Sequence, residues 1–215
     1  GGTPESIASL PHSAVLEHYS RTYVPPELVV TAAGNVRHED VVSAVLDGAR
    51  RGGWDLPDDG EPAPRRRAGD VSYAPGRSVF LERPVEQAHL ILGWPGLANS
   101  DPRRFALGVA NTLLGGGMSS RLFQEIRERR GLAYSTYSFS SMYAEGGVYG
   151  MYAATSPSVA RQVADLMRAE AERLVAEPVP AAELARAIGQ IRGNFVLSLE
   201  DSGARMTRLG AAEIV

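Results

Sequence analysis

The pattern of apolar and polar positions predicts both helices and strands. Apolar residues recur with helical spacing over residues 38–51, 101–114, 157–177 and 180–200. Runs rich in β-branched or alternating apolar residues predict strands, at residues 28–33, 71–74, 77–82, 87–94, 134–141 and 147–155. Strands followed by runs of helices favour an α+β fold.

A change in composition predicts a linker at residues 52–69. Residues 58–67 contain two Pro, one Gly and dense charge without apolar periodicity. The Arg65–Arg67 triplet has two interpretations, a nucleic-acid patch or a solvated charge run. The second is favoured, because no aromatic residues are interleaved and the formal net charge is −3.

Composition excludes several chemistries. All 22 basic residues are Arg, an excess that we interpret as coding bias, and the chain has no Lys and no Cys. A Schiff-base lysine, a P-loop lysine, a thiol nucleophile and a disulfide framework are therefore excluded. The slightly acidic balance gives no reason to expect a nucleic-acid partner, and no apolar run is long enough to predict a membrane partner. Because the N-terminus has no signal pattern, we expect a cytoplasmic location.

The four histidines do not predict a metal site. His12 and His18 are six residues apart and fall on different helix faces, and a second zinc ligand one turn before His18 would have to stand where Ala14 is. His38 stands at a helix start, and His89 in mid-strand is interpreted as a structural residue. No G-x-S-x-G elbow is present either, so this chain is predicted to hold no metal ligand and no catalytic residue of its own.

The segment from Leu113 to Ser140 carries the most information. It includes three consecutive glycines, Gly115, Gly116 and Gly117, before a helix. Glycines permit unusual backbone conformations and close approach of a ligand. A phosphate cradle is one interpretation, but it is weak because no Lys follows. A substrate-facing loop and a plain interhelical loop both remain open.

Arg127 and Tyr134 are seven residues apart, and Gly131 between them ends the helix. A guanidinium at a helix end and a phenol at a strand start could point into one concavity and hold a peptide carbonyl. On spacing alone, a surface Arg and a core Tyr are the favoured interpretation.

Two motifs nevertheless resemble a known family. LLGGGMSSRLFQEIR over residues 113–127 and GLAYS over residues 131–135 are similar to the pitrilysin/insulinase superfamily of zinc metallopeptidases, in the half-length branch near the mitochondrial processing peptidase. The similarity extends to residues 2–7, 23–30 and 87–90, so nearly the whole chain is covered.

The resemblance implies a mixed, mostly antiparallel sheet with helices packed on one face. Residues 1–51 would end a preceding zinc-bearing domain, and residues 70–215 would form a C-terminal-type domain. Arg127 and Tyr134 would bind substrate, and Gly115–Gly117 would form a substrate loop. Zinc would be held by ligands outside this chain.

The implied parent protein is a bacterial-type zinc metalloendopeptidase that hydrolyses peptide bonds. Its substrate would be a peptide or unfolded protein, and its partner would be a second copy or a zinc-bearing chain, giving a homodimer or heterodimer. Without the H-x-x-E-H zinc motif, this chain alone is expected to be inactive. The alternative is a non-catalytic scaffold or partner subunit of the same superfamily.

Overall fold

The computed structural model describes residues 2–56, 69, 71–74 and 76–214. These residues form two compact units. The first unit contains residues 2–56 together with Ser198–Ile214, and the second unit contains the described residues from 69 to Leu197. The predicted linker lies largely outside the described residues, and the division into residues 1–51, 52–69 and 70–215 stays a prediction.

The first unit is helical in its regular structure. Its helices are α1 (Pro4–Ala8), α2 (His12–Thr22), α3 (His38–Arg51) and α7 (Ser202–Ile214), with a 3₁₀ turn at Pro25–Glu27. Thr3 and Ser6 cap α1 reciprocally, each side chain bonding the other's backbone N–H. The Thr31 hydroxyl donates to the Met206 carbonyl at 3.1 Å, which ties the extended segment before α3 to α7.

The second unit contains an antiparallel sheet and the helices that cover it. Its elements are β1 (Ala88–Gly96), α4 (Arg104–Gly115), a π-helix (Phe123–Glu128), β2 (Ala133–Met142), β3 (Gly147–Thr155), α5 (Ala160–Ala176) and α6 (Ala181–Ser198). The strand order is β1-β3-β2, and both pairings are antiparallel. Helix α4 packs on β2, and α5 packs on β1 and β3. The predicted α+β class is therefore confirmed.

Alternation along the strands places one side of the sheet in the core. On β3, Met151 and Ala153 are fully buried beneath the helices, whereas Tyr152 between them turns to the opposite face. The apolar cluster around this side includes Leu122, Ile126, Val163 and Met167, each with no exposed surface. The segment that carries Arg127 is thus attached to the core through its own buried residues.

Three predicted strands are wrong within the described residues. Residues 28–33, 71–74 and 77–82 do not pair as strands there. The β-branched pattern of these segments predicts a pleated surface but supplies no hydrogen-bonding partner. Helix α7 was not predicted, although the Asp201 carboxylate accepts a bond from the Ala204 N–H and marks its start.

Candidate functional site

Arg127 stands on a turn of helix that is wider than an α-helix. The sequence predicted a helix that follows the glycines and runs to Arg130. In the structure, residues 123–128 form a π-helix, in which the Arg129 N–H donates to the Gln124 carbonyl five residues back, at 3.0 Å. Such single π turns are frequent at functional sites. The fully buried Ile126 fixes this turn to the core and leaves Arg127 beside the surface.

Tyr134 is placed by a sharp turn followed by a β-bulge. Gly131 ends the helical segment with a φ of +61°, a conformation that a side chain would strain. In the ladder that follows, Ala133 pairs with Thr155 while Ser135 pairs with Ala154, so Tyr134 is the extra residue of the bulge. Bulges redirect side chains, and the Tyr134 residue is 77% exposed. The interpretation of Tyr134 as a core residue is therefore wrong.

The structure brings Arg127 and Tyr134 into direct contact. The Arg127 Cζ lies 4.5 Å from the centroid of the Tyr134 ring. A second ring, Phe123, lies 4.7 Å from the same Cζ. The Arg127 side chain keeps 35% of its surface exposed, and the nearest carboxylate oxygen, on Glu128, is 3.9 Å from its Nε. The guanidinium is thus held by two rings and only loosely by an acid.

Sequence reasoning missed Phe123. The signal was available, because Phe123 and Arg127 are four residues apart on one helical segment, a spacing that brings side chains together. Phe123 also lines a cavity of about 470 Å³ together with the glycine segment and part of β2. Phe123 therefore adjoins both of the features predicted separately from the sequence.

Gly115 and Gly116 are required for space rather than for unusual torsion angles, whereas an added Cβ at Gly117 would meet only the end of a flexible side chain. None of them has a positive φ. A Cβ on Gly115 would lie 2.2 Å from the Ser138 backbone nitrogen, and one on Gly116 would lie 2.6 Å from the Thr112 Cα. A Cβ on Gly117 would lie 2.7 Å from the Gln190 side chain. The expected close approach is therefore made by this chain's own backbone and side chains.

Hydrogen bonds from side chains hold the glycine segment in place. Two of its carbonyl groups accept bonds, since Gln190 Nε2 donates to Gly116 at 3.0 Å and Ser120 Oγ to Gly117 at 2.6 Å. The carbonyl of the next residue, Met118, accepts from Gln124 Nε2 at 2.7 Å. A segment with its acceptors bonded in this way forms a fixed wall of the cavity. Its role as a substrate loop stays a prediction.

An ion pair between the buried Arg121 and the partly buried Glu183 links the start of the helical segment to α6. Arg121, whose side chain is 8% exposed, donates from Nε and Nη2 to the two Glu183 carboxylate oxygens at 2.8 and 3.0 Å. This two-bond pairing lowers the pKa of Glu183 and raises that of Arg121. Burial raises the pKa of nearby Glu170, and Arg173 opposes that shift with a nitrogen 2.9 Å from Glu170 Oε2.

His89 in β1 contacts a side chain of the neighbouring strand β3. His89 Nδ1 lies 2.8 Å from the Tyr152 hydroxyl, as expected of a structural residue. In the described part of the chain, no three His, Asp or Glu side chains come close enough together to hold a metal ion. No helix among those residues is long and apolar enough to cross a membrane.

Comparison with known proteins identifies the family. The family model described as the peptidase M16 inactive domain matches residues 9–191. The chain belongs to this family, and the resemblance seen in the sequence motifs is confirmed.

The relatives are bacterial proteins named as zinc proteases. An uncharacterized zinc protease of Streptomyces coelicolor is 44% identical over 99% of this chain and 46% of its own length. One from Mycobacterium tuberculosis is 40% identical over 99% of this chain and 48% of its own length. The chain thus spans about half the length of these curated relatives.

Solved structures agree with the family and the fold. The crystal structure of a peptidase M16 inactive domain from Pseudomonas fluorescens is 26% identical, with a TM-score of 0.61 over 84% of this chain and 41% of that chain. A protease from Helicobacter pylori, 19% identical, shares the fold with a TM-score of 0.75 over 99% of this chain and 51% of that chain.

Proposed function

We propose that this chain is the substrate-binding portion of a zinc metalloendopeptidase, with the zinc ligands elsewhere in the parent protein. The observation that carries the proposal is the contact between the half-buried Arg127 and the exposed Tyr134, which a π turn and a β-bulge direct to the same place. Membership of the M16 family and relatives named as zinc proteases support it.

The two side chains suit one task, which is to hold a peptide carbonyl. A guanidinium presents several N–H donors in a fixed plane, and a phenol adds one O–H donor. Both can donate to the same oxygen and stabilise negative charge that develops on it during hydrolysis. In this proposal the segment Gly115–Gly117 forms the adjoining wall, against which the rest of the peptide lies.

The described residues do not fit a zinc site, so no step of hydrolysis is assigned to them beyond this binding. Zinc held by the rest of the parent would supply the activated water. We also propose that residues up to 51 end the preceding zinc-bearing domain. A homodimer or a heterodimer with a zinc-bearing chain, a cytoplasmic location and a peptide or unfolded protein substrate belong to the same proposal.

The test is a peptide-cleavage assay in which the zinc-bearing partner is mixed with wild-type or variant chain. Arg127→Ala and Tyr134→Phe are expected to lower kcat/KM by roughly ten- to a thousand-fold, the range for loss of a donor to a developing oxyanion. Matched controls are Arg129→Ala, which removes a guanidinium close in sequence, and Tyr143→Phe, which removes a phenolic hydroxyl beyond the opposite end of β2; both should retain activity. Unchanged cleavage by both Arg127 and Tyr134 variants would refute the assigned role.

The second candidate is a non-catalytic scaffold or partner subunit. The family description as an inactive domain favours it, together with the lack of a metal-binding group among the described residues. Metal analysis of the purified parent separates the two functions. Stoichiometric zinc with peptide cleavage supports the enzyme, whereas a parent that lacks zinc and forms a complex without peptide cleavage supports the scaffold.

A further inference from the structure

Two aromatic rings in the segment from Phe123 to Tyr134 contact one cation. Arg127 Cζ lies 4.7 Å from the Phe123 centroid and 4.5 Å from the Tyr134 centroid. Both distances are within the range at which an aromatic ring attracts a cation. The guanidinium therefore contacts two rings, and only one of them belongs to the pair that the sequence indicated.

The two rings differ in how firmly they are held. Tyr134 is 77% exposed, whereas Phe123 is half-buried beside the glycine wall of the cavity. Phe123 follows Leu122, which has no exposed surface, and lies on the same turn as Ile126, which is also fully buried. Phe123 is thus the ring that the core positions, while Tyr134 keeps the freedom to meet a ligand.

The acids near Arg127 do not account for its placement. Glu125 bonds with Arg129 and Arg130 instead. Glu128 approaches the Arg127 Nε only to 3.9 Å and has a half-exposed side chain. A long, flexible side chain without a strong ion pair depends on packing to limit its rotamers.

We infer that Phe123 is a positioning residue for substrate binding, which holds the Arg127 guanidinium in the orientation from which it donates to a peptide carbonyl. This inference rests on the proposed function. Phe123 itself touches no reacting atom and acts through Arg127.

The experiment is a double-mutant cycle measured in the complete parent protein, including the part that binds zinc. Phe123→Leu keeps most of the volume and removes the ring, and Phe123→Tyr keeps the ring. We expect Phe123→Leu to lower kcat/KM by about 3- to 30-fold, the equivalent of one cation–π contact, and Phe123→Tyr to stay near wild type. In an Arg127→Ala background, Phe123→Leu should add no further loss.

Each outcome has one meaning. An equal loss from Phe123→Leu with and without Arg127 would overturn the positioning role and leave the proposed function intact. No loss from Arg127→Ala would overturn both. A readout independent of activity is the Arg127 Nε–Hε resonance of the 215-residue chain, which the two adjacent rings should shift upfield. Phe123→Leu should reduce that shift and Phe123→Tyr should keep it, and an unchanged resonance in Phe123→Leu would contradict the inference.

Discussion

The two compact units differ in how far their apolar side chains are buried. The second unit encloses an eight-residue apolar cluster with several side chains fully out of water. None of the described residues of the first unit is buried. Its predicted helical stripe, including Val41, Val42 and Val45, lines an open groove of about 670 Å³ together with residues 30–34 and Leu209.

This difference shows what a stripe of apolar residues can and cannot predict. The pattern in α3 correctly indicates a helix with an apolar face, but it does not indicate which surface packs against that face. The second unit, in contrast, brings its own strands and helices together around one core.

The largest difference in stability between the two units is expected when one charge of an ion pair is removed in each. Glu183→Gln leaves the Arg121 guanidinium buried without its carboxylate and should lower the free energy of unfolding of the second unit by about 3–5 kcal/mol. The control in the first unit is Asp40→Asn, because Asp40 and its partner Arg37 are largely exposed. That change should stay within about 1 kcal/mol.

The two tryptophans allow each unit to be followed separately in urea. Trp54 belongs to the first unit and Trp94 to the second. Unfolding measured by fluorescence in a Trp54→Phe background reports the second unit, and a Trp94→Phe background reports the first. Equal effects of the two charge changes would contradict the contrast between the units.

Truncation of one leucine in each unit gives the next largest contrast. Leu114 in α4 is 1% exposed, and Leu209 in α7 is 55% exposed. Leu114→Ala leaves a cavity and should cost about 2–5 kcal/mol in the Trp94 signal. Leu209→Ala should cost less than about 1 kcal/mol in the Trp54 signal, because most of that side chain already contacts water. A cost at Leu209 as large as that at Leu114 would show that the first unit has a packed core after all.

Replacing a helical glycine by alanine should have a smaller effect, with opposite signs in the two units. Gly115→Ala forces a Cβ against the β2 backbone and should destabilise the second unit by about 1–3 kcal/mol. Gly48 in α3 has no atom within 4 Å of the added Cβ, so Gly48→Ala should stabilise the first unit by about 0.5–1 kcal/mol. Gly108 lies in the same helix as Gly115 but, like Gly48, has no atom within 4 Å of an added Cβ, so Gly108→Ala is a control within the second unit. Stabilisation by Gly115→Ala would contradict the predicted clash between the added Cβ and the β2 backbone.

The smallest expected effect is the pH dependence of the stability that the Arg121–Glu183 ion pair contributes. Arg121 lowers the pKa of Glu183 in the folded chain, so the stabilisation is complete above the ordinary value of 4.5 and is lost as pH falls through the lower folded value. Glu170 acts in the opposite sense, because burial raises its pKa. The difference in unfolding free energy between wild type and Glu183→Gln isolates Glu183. It should shrink below about pH 4.5, and a difference that grew with acid would contradict the pairing.

The sequence predicted most helices and the three paired strands, because these have strong local signals. Helix α3 was predicted as residues 38–51, and the structure places it at His38–Arg51. The failures at residues 28–33, 71–74 and 77–82 share one cause, which is that strand patterns do not identify a partner. The π turn was not predictable either, since its hydrogen bonds follow from the way Leu122 and Ile126 fit the core.

For the site, the residue types were predictable and their arrangement was not. The sequence indicated Arg127 and Tyr134, but exposure of Tyr134 follows from a bulge that depends on pairing with β3. The glycines were noticed for their torsional freedom, whereas their contacts with Ser138, Thr112 and Gln190 depend on tertiary packing.

The central claim is that substrate lies against the Arg127–Tyr134 surface, and photo-cross-linking in the parent protein tests it most directly. A peptide substrate with benzoylphenylalanine beside the cleaved bond would be irradiated on the enzyme, and its attachment sites mapped by mass spectrometry. We expect cross-links between residues 115 and 138 that a non-photoreactive competing peptide abolishes. Competed cross-links elsewhere in the parent, with none in this segment, would contradict it.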